Sequence, residues 1–263
     1  MFDILKAKES FMNYVRQFDL TNDKIHLKLV HTLEVVHTTE YLCHHENITG
    51  VERDLAYLIA LLHDIGRFEQ IKRFNSFDDR NIDHAKLGVQ VLFKEGMIRN
   101  FIDDDQYDEM YDNYKTKTKG AEAFSLYSLK TLPESTIEED ISLYGLQNSD
   151  KLDNFRVKNI ESIQTLFSIS DADFYSQRVS QNILKDIENH TLILKENRHN
   201  EVDMWVSYMA FVFDLNFTSS YLFIRENDYI HRNMERLHFT GDLKEDMLFV
   251  EKTCQSYIEE KCK

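Results

Sequence analysis

The sequence is poor in the residues that interrupt helices and form tight turns. Among its 263 residues there are only 7 glycines and a single proline, Pro133. A β-sandwich or a doubly wound α/β fold of this size needs many more tight turns, and such turns depend largely on glycine and proline. The shortage therefore predicts an all-α fold in which long helices are joined by short links.

Cysteines and basic residues are also scarce. The three cysteines, Cys43, Cys254 and Cys262, form no CxxC pair, and their odd number fits a reducing compartment. The 31 basic residues are outnumbered by 46 acidic ones, which gives a net charge of −15. This charge argues against general binding to nucleic-acid backbones or to anionic lipid surfaces.

Long apolar runs are absent from the sequence. No stretch approaches the roughly 20 apolar residues that cross a bilayer. The first residues, MFDILKAKES, also lack the basic start and apolar run of a signal peptide. We therefore expect a cytoplasmic protein without a membrane partner, and homodimer formation is left open.

The residues that are abundant favour a large helical core. Hydrophobic residues make up 42% and aromatic residues 12% of the chain. Their spacing predicts helices at about 22–45, about 50–65, about 82–95 and about 242–260. Gly66 is expected to cap the second of these helices, and the aperiodic stretch Arg67–Arg80 is expected to be an ordered loop. The aromatic run Trp205–Ile224 predicts one inner helix of a bundle.

Two adjacent polar residues, His63 and Asp64, follow the very hydrophobic stretch LAYLIALL. Polar groups that enter a core need strong partners, and a metal ion would satisfy both. His31 lies on an apolar face of a predicted helix, and Asp150 lies on another predicted helix. Two imidazoles and two carboxylates form a ligand set that suits Mn, Fe, Co, Ni or Zn. The other histidines of the 22–45 helix are predicted to be exposed on the opposite face: His26, His37 and His44.

The order His31, His63-Asp64, Asp150 on a helical chain resembles the HD-domain superfamily of metal-dependent phosphohydrolases, which is named for the doublet. The segments LLHDIGRFEQ, DHAKLGVQVLF and SDKLDNFRV are similar to segments of bacterial HD-domain proteins. The resemblance implies an HD-like helical bundle at about 22–160, with additional helices at about 161–263 packed on it in one domain over 1–263. It also implies hydrolysis of a phosphomonoester or phosphodiester, with a nucleotide as the expected substrate, by attack of metal-activated water.

The resemblance further implies catalytic roles around the doublet. Asp64 would both ligate the ion and orient the attacking water. Arg67 and His84 would stabilise charge that develops on the phosphate, and the guanidinium fork of Arg67 would also bind the substrate. Lys151 could bind substrate as well, or pair with a neighbouring carboxylate. The alternatives are that Arg67 pairs with an acid such as Glu69 and that His84 only forms hydrogen bonds at a helix start.

One departure from the family pattern concerns the number of metal ions. HD proteins with two metals carry further histidines between the doublet and the last aspartate. His84 matches the first of these, but no histidine occurs from Ala85 to Ser149, and Tyr127 and Ser128 stand near the place of an expected Asn-His pair. We therefore expect one divalent transition metal ion and no second ion. The same departure motivates an alternative function, a degenerate HD protein that binds a metal or nucleotide as a sensor or interaction module.

Overall fold

The structure is a computed structural model that describes residues 2–77, 82–104 and 141–263, with the side chains of 141–146 excepted. These residues form helices and no β-strand, which confirms the predicted all-α class. Within the same residues, no helix has the length and apolarity that a bilayer crossing requires. Pro133, Tyr127 and Ser128 lie outside the described part of the chain.

The chain divides into two compact units, Met1–Leu146 and Gln147–Lys263. The predicted single domain, with a helical extension that begins near residue 161, stays a prediction. The helices described in the first unit are α1 (Ile4–Val15), α2 (Asp23–His45), α3 (Gly50–Leu62), α4 (Ile65–Phe74) and α5 (His84–Val89), the last of which continues into a π-helical turn, Gln90–Lys94, and a 3₁₀ turn, Met97–Asn100. Helix α6 (Ile141–Ile160) begins in the first unit and belongs mostly to the second.

The second unit continues with short helices and one long helix. They are α7 (Ile163–Phe167), α8 (Asp171–Tyr175), α9 (Gln181–Glu188), α10 (Glu201–Met209), α11 (Thr218–Glu226), α12 (Tyr229–Glu235) and α13 (Gly241–Lys261), with 3₁₀ turns at Lys195–Asn197 and Ala210–Asp214. The core of this unit contains the fully buried Trp205. The rings of Phe167 and Phe174 pack against Trp205 at centroid distances of 6.4 and 6.1 Å.

The predicted single helix over Trp205–Ile224 is interrupted, so this prediction is wrong in detail. Helix α10 ends at Met209, and α11 begins at Thr218. Between them, the carbonyl oxygen of Asp214 accepts a hydrogen bond from Lys151, and the amide of Asn216 donates to the side chain of Asn148. Because these side chains satisfy the backbone groups, the chain can leave the helix without burying unpaired polar atoms.

The core of the first unit is built around Phe68 on α4, whose side chain is fully buried. The rings of Phe11, Tyr14 and Phe18 meet it at centroid distances of 5.9, 6.1 and 5.6 Å. Edge-on and tilted aromatic contacts of this kind stabilise a core beyond the burial of their area. These ring contacts fix the position of α4 at Phe68, the residue that follows Arg67.

The prediction of a loop at Arg67–Arg80 is therefore wrong over much of that range. Helix α4 spans Ile65–Phe74, and its buried apolar residues Ile65, Phe68 and Ile71 recur every three residues. Charged residues between these positions masked the period. The last residues of the expected loop, 78–80, lie outside the described ranges.

Gly66 does not cap a helix, because α3 already ends at Leu62 and Gly66 lies in the first turn of α4. It lies where the backbones of α4 and α5 touch. A methyl group added at Gly66 would be 2.1 Å from the carbonyl oxygen of His84 and 2.4 Å from the amide nitrogen of Gly88. Only glycine permits so close an approach. This contact places His84 beside the first turn of α4.

We predict that Gly66→Ala lowers the free energy of unfolding by about 2–3 kcal/mol, because the two backbones must separate to admit the methyl group. Gly88→Ala is the matched control. A methyl group at Gly88 would meet its nearest atoms at 3.7 Å, an ordinary contact. Gly88→Ala is therefore expected to leave stability unchanged or raise it by up to about 1 kcal/mol. Urea denaturation measures both changes, and equal stability of the two variants would contradict the proposed helix contact.

Candidate metal centre

Three of the predicted ligands lie close together in the first unit. His31 projects from α2 and is only 2% exposed, whereas His63 and Asp64 occupy the two-residue break between α3 and α4. The Nε2 atoms of His31 and His63 are 3.4 Å apart. Oδ2 of Asp64 lies 3.7 Å from Nε2 of His31 and 3.6 Å from Nε2 of His63. Two imidazole nitrogens and one carboxylate oxygen thus converge.

The hydrogen bond on the far side of His63 determines which ring nitrogen can bind a cation. Nδ1 of His63 lies 2.7 Å from the carbonyl oxygen of Ala60. Because a carbonyl only accepts, Nδ1 carries the proton in this contact. The lone pair of an uncharged His63 ring would therefore lie on Nε2, which faces His31 and Asp64. Histidines that ligate metals typically donate their second nitrogen in this way. The donor set of the structure therefore fits a divalent transition metal.

The Asp64 carboxylate is surrounded by positively charged or protonatable groups. Oδ2 also lies 2.6 Å from Nζ of Lys28, while Oδ1 lies 3.7 Å from Nε of Arg67 and 3.6 Å from Nε2 of His84. Burial alone raises the pKa of the Asp64 carboxyl, but nearby positive charge, that of Lys28 foremost, outweighs burial and holds this pKa well below its usual range. The carboxylate is therefore ionised and available as a ligand.

Arg67 is held in place by oxygen atoms of the surrounding structure. Its Nη1 donates to Oε1 of Gln70 at 2.7 Å and to the carbonyl oxygen of Phe77 at 3.0 Å. Gln70 is fully buried and donates in turn to the carbonyl oxygen of Ile82 at 2.8 Å. These contacts orient the guanidinium toward Oδ1 of Asp64.

The comparison with known families agrees with this arrangement. Residues 29–154 match the family model described as HD domain. The chain therefore carries an HD domain over these residues. HD domains are in general metal-dependent phosphohydrolases, and the match covers the doublet together with His31, His84 and Asp150. The chain has no match among curated proteins or among solved structures.

The last predicted ligand of the HD domain, Asp150, lies on α6 in the second unit. Its carbonyl oxygen accepts a hydrogen bond from Nδ2 of Asn154 at 2.9 Å, and the same nitrogen lies 3.4 Å from Oδ1 of the carboxylate. The neighbouring Lys151 forms an ion pair at 2.6 Å with the carboxylate of Asp214. Lys151 would have to give up this pair to bind a substrate, so its predicted role stays a prediction.

The position of His84 at a helix start and the exposure of three histidines on α2 agree with the sequence predictions. His84 is the first residue of α5, whose N-cap Asp83 accepts hydrogen bonds from the amides of Ala85 and Lys86. It thus combines the helix-start position with a side chain directed at Asp64. The three other histidines predicted to lie on the opposite face of α2 are exposed: His26, His37 and His44.

Lys28 and Gln70 are the site residues that sequence reasoning missed. Lys28 precedes His31 by three residues on α2, and this spacing puts both side chains on one helix face. A single lysine on a predicted helix is usually solvated, so nothing marked it as a partner of Asp64. Gln70 follows Arg67 by three residues, so the side chains of Gln70 and Arg67 also lie on one helix face.

We predict that Asp64→Asn lowers the free energy of unfolding of the chelator-treated protein by about 3 kcal/mol, because it leaves the poorly solvated charge of Lys28 without its counter-ion. The control is Asp103→Asn, which breaks a Lys6–Asp103 pair of similar length, 2.5 Å, whose side chains are 38% and 60% exposed. This exposed pair should contribute little to stability, because water screens it. Denaturant titration of both variants tests the difference, and equal losses would rule out a special role for the buried pair.

Proposed function

We propose that this HD-domain protein hydrolyses a phosphomonoester or phosphodiester, with a nucleotide as its substrate class. The observation that carries the proposal is the convergence of Nε2 of His31, Nε2 of His63 and Oδ2 of Asp64 in the first unit. Nitrogen and oxygen donors in this combination suit a divalent first-row metal ion. The match to a family of metal-dependent phosphohydrolases supports the same chemistry.

The proposed ligands are His31, His63, Asp64 and Asp150. The first three are proposed from their geometry, and Asp150 from its place in the motif order within the matched HD range. We propose a single ion, Mn, Fe, Co, Ni or Zn, because the interval from Ala85 to Ser149 contains no histidine for a second one. When bound, such an ion supplies activation of a water molecule for attack and withdrawal of charge from phosphorus.

The residues around the ligands have distinct tasks in this proposal. Asp64 orients the attacking water through its ionised carboxylate. Arg67, held by Gln70, donates to the phosphate oxygens as charge develops on them, and the ring nitrogen of His84 supports the same charge. Lys151 remains a predicted further contact for the substrate.

The alternative is a degenerate HD protein that binds a metal or nucleotide without turnover, as a sensor or interaction module. The histidine-free interval from Ala85 to Ser149 favours it. The retained donor set of His31, His63 and Asp64 fits both functions, so only turnover separates them.

We predict that the chelator-treated wild type binds about one equivalent of Mn²⁺, and that Asp64→Ala abolishes binding because it removes a ligand from a small set. The matched control is His37→Ala, which removes an exposed histidine from the same helix as His31 and should leave binding unchanged. Isothermal titration calorimetry measures the stoichiometry. Two equivalents of tightly bound ion would show that other ligands replace the missing histidine.

We predict that the metal-loaded protein hydrolyses at least one member of a panel of nucleotides, and that His63→Ala removes this activity. Arg67→Ala should retain the metal and lower kcat/KM by on the order of 10²-fold, the scale of losing one donor to developing charge. Arg67→Lys should recover part of the loss, since it keeps the charge but not the bidentate fork.

Arg73→Ala is the control for Arg67, because Arg73 lies on the same helix, is 42% exposed and pairs with Glu69. It should be kinetically silent. If Arg67→Ala is equally silent, recognition of the phosphate belongs to other residues. If the metal-loaded wild type hydrolyses nothing in the panel, the sensor alternative is the better account.

A further inference from the structure

Lys28 binds the same carboxylate oxygen that faces the two imidazoles. Its Nζ lies 2.6 Å from Oδ2 of Asp64, whereas Arg67 and His84 face Oδ1. The side chain of Lys28 is only 15% exposed, and its ammonium lies 5.6 Å from the centre of the Phe77 ring. Water therefore screens this charge less than it would screen a surface lysine.

A cation on Oδ2 opposes the binding of a second cation there. An ammonium has three N–H donors and no lone pair, so Lys28 cannot itself ligate a metal. An ion held through Oδ2 would share that oxygen with Nζ, and two positive charges on one poorly screened oxygen repel each other. The flexible stem of lysine allows Nζ to withdraw, but withdrawal costs its ion pair with Asp64.

We infer that Lys28 competes with the metal ion for Asp64 and thereby weakens metal binding at this site. Lys28 is then a positioning residue, which neutralises the buried carboxylate when no ion is bound. The inference rests on the proposed function, because it takes His31, His63 and Asp64 as ligands.

A supporting hydrogen bond to a ligating carboxylate would have the opposite effect. Removal of such an outer partner typically costs about 10–100-fold in metal affinity. Competition is favoured here because the partner carries a full positive charge and contacts Oδ2, the oxygen nearest both histidine nitrogens. The sign of the change in affinity therefore distinguishes competition from support, and a merely structural role would not tighten binding.

The test is calorimetric titration of the chelator-treated full chain with Mn²⁺ alone. Lys28→Met keeps the length of the stem and removes the charge, and it should lower the Kd for Mn²⁺ by on the order of tenfold. Lys28→Arg keeps the charge and should leave the Kd within about threefold of the wild type. Lys24→Met is the matched control, because Lys24 lies one turn earlier on α2 and donates to the carbonyl oxygen of Asn75 instead. Its Kd should equal that of the wild type.

A Kd for Lys28→Met that equals or exceeds the wild-type value would overturn the inference. Circular dichroism shows whether each variant folds, and Lys28→Gln, judged by the same criterion, replaces Lys28→Met if the latter does not. Absence of Mn²⁺ binding by the wild type would overturn the proposed metal site and this inference with it. Binding by the wild type with no tighter binding by Lys28→Met, or by Lys28→Gln in its place, would overturn the inference alone.

Discussion

The buried negative charge of Asp64 is the constraint on which the candidate site depends. A carboxylate that is only 6% exposed is costly unless cations or hydrogen-bond donors surround it. Here Lys28 comes from α2, Arg67 from α4 and His84 from α5. Three helices of the first unit are thus held to one residue by electrostatic attraction, and the same attraction keeps that residue ionised.

Packing brings those helices within reach of the carboxylate. The ring contacts of Phe68 anchor α4 against α1, which determines where Arg67 lies. The missing side chain of Gly66 lets α5 approach closely enough for His84 to face Asp64. Hydrophobic burial and a glycine contact therefore supply the positions, and polar residues supply the chemistry. The site needs both the packing contacts and the polar residues.

The sequence predicted the fold class and singled out the three converging side chains of His31, His63 and Asp64 because these follow from local signals. Scarce glycine and proline indicated helices, and a His-Asp doublet after an apolar run indicated buried polar groups that need partners. Helix α4 was missed because the charged and polar residues between Ile65, Phe68 and Ile71 masked its period. Lys28 and the contact at Gly66 were missed for another reason. Each depends on which residue a distant helix brings near, and spacing along one helix carries no such information.

The two oxygens of Asp64 divide the site into two sides. Oδ2 faces the imidazoles of His31 and His63, and Oδ1 faces Arg67 and His84. Donors suited to a cation thus lie on one side of the carboxylate, and groups suited to a phosphate lie on the other. In the proposed function, Oδ2 of Asp64 would bind the ion, and Arg67 and His84 beside Oδ1 would bind the phosphate. Lys28 is the exception, since its positive charge lies on the cation side. Its position on that side agrees with the inference that Lys28 neutralises the Asp64 carboxylate before an ion binds.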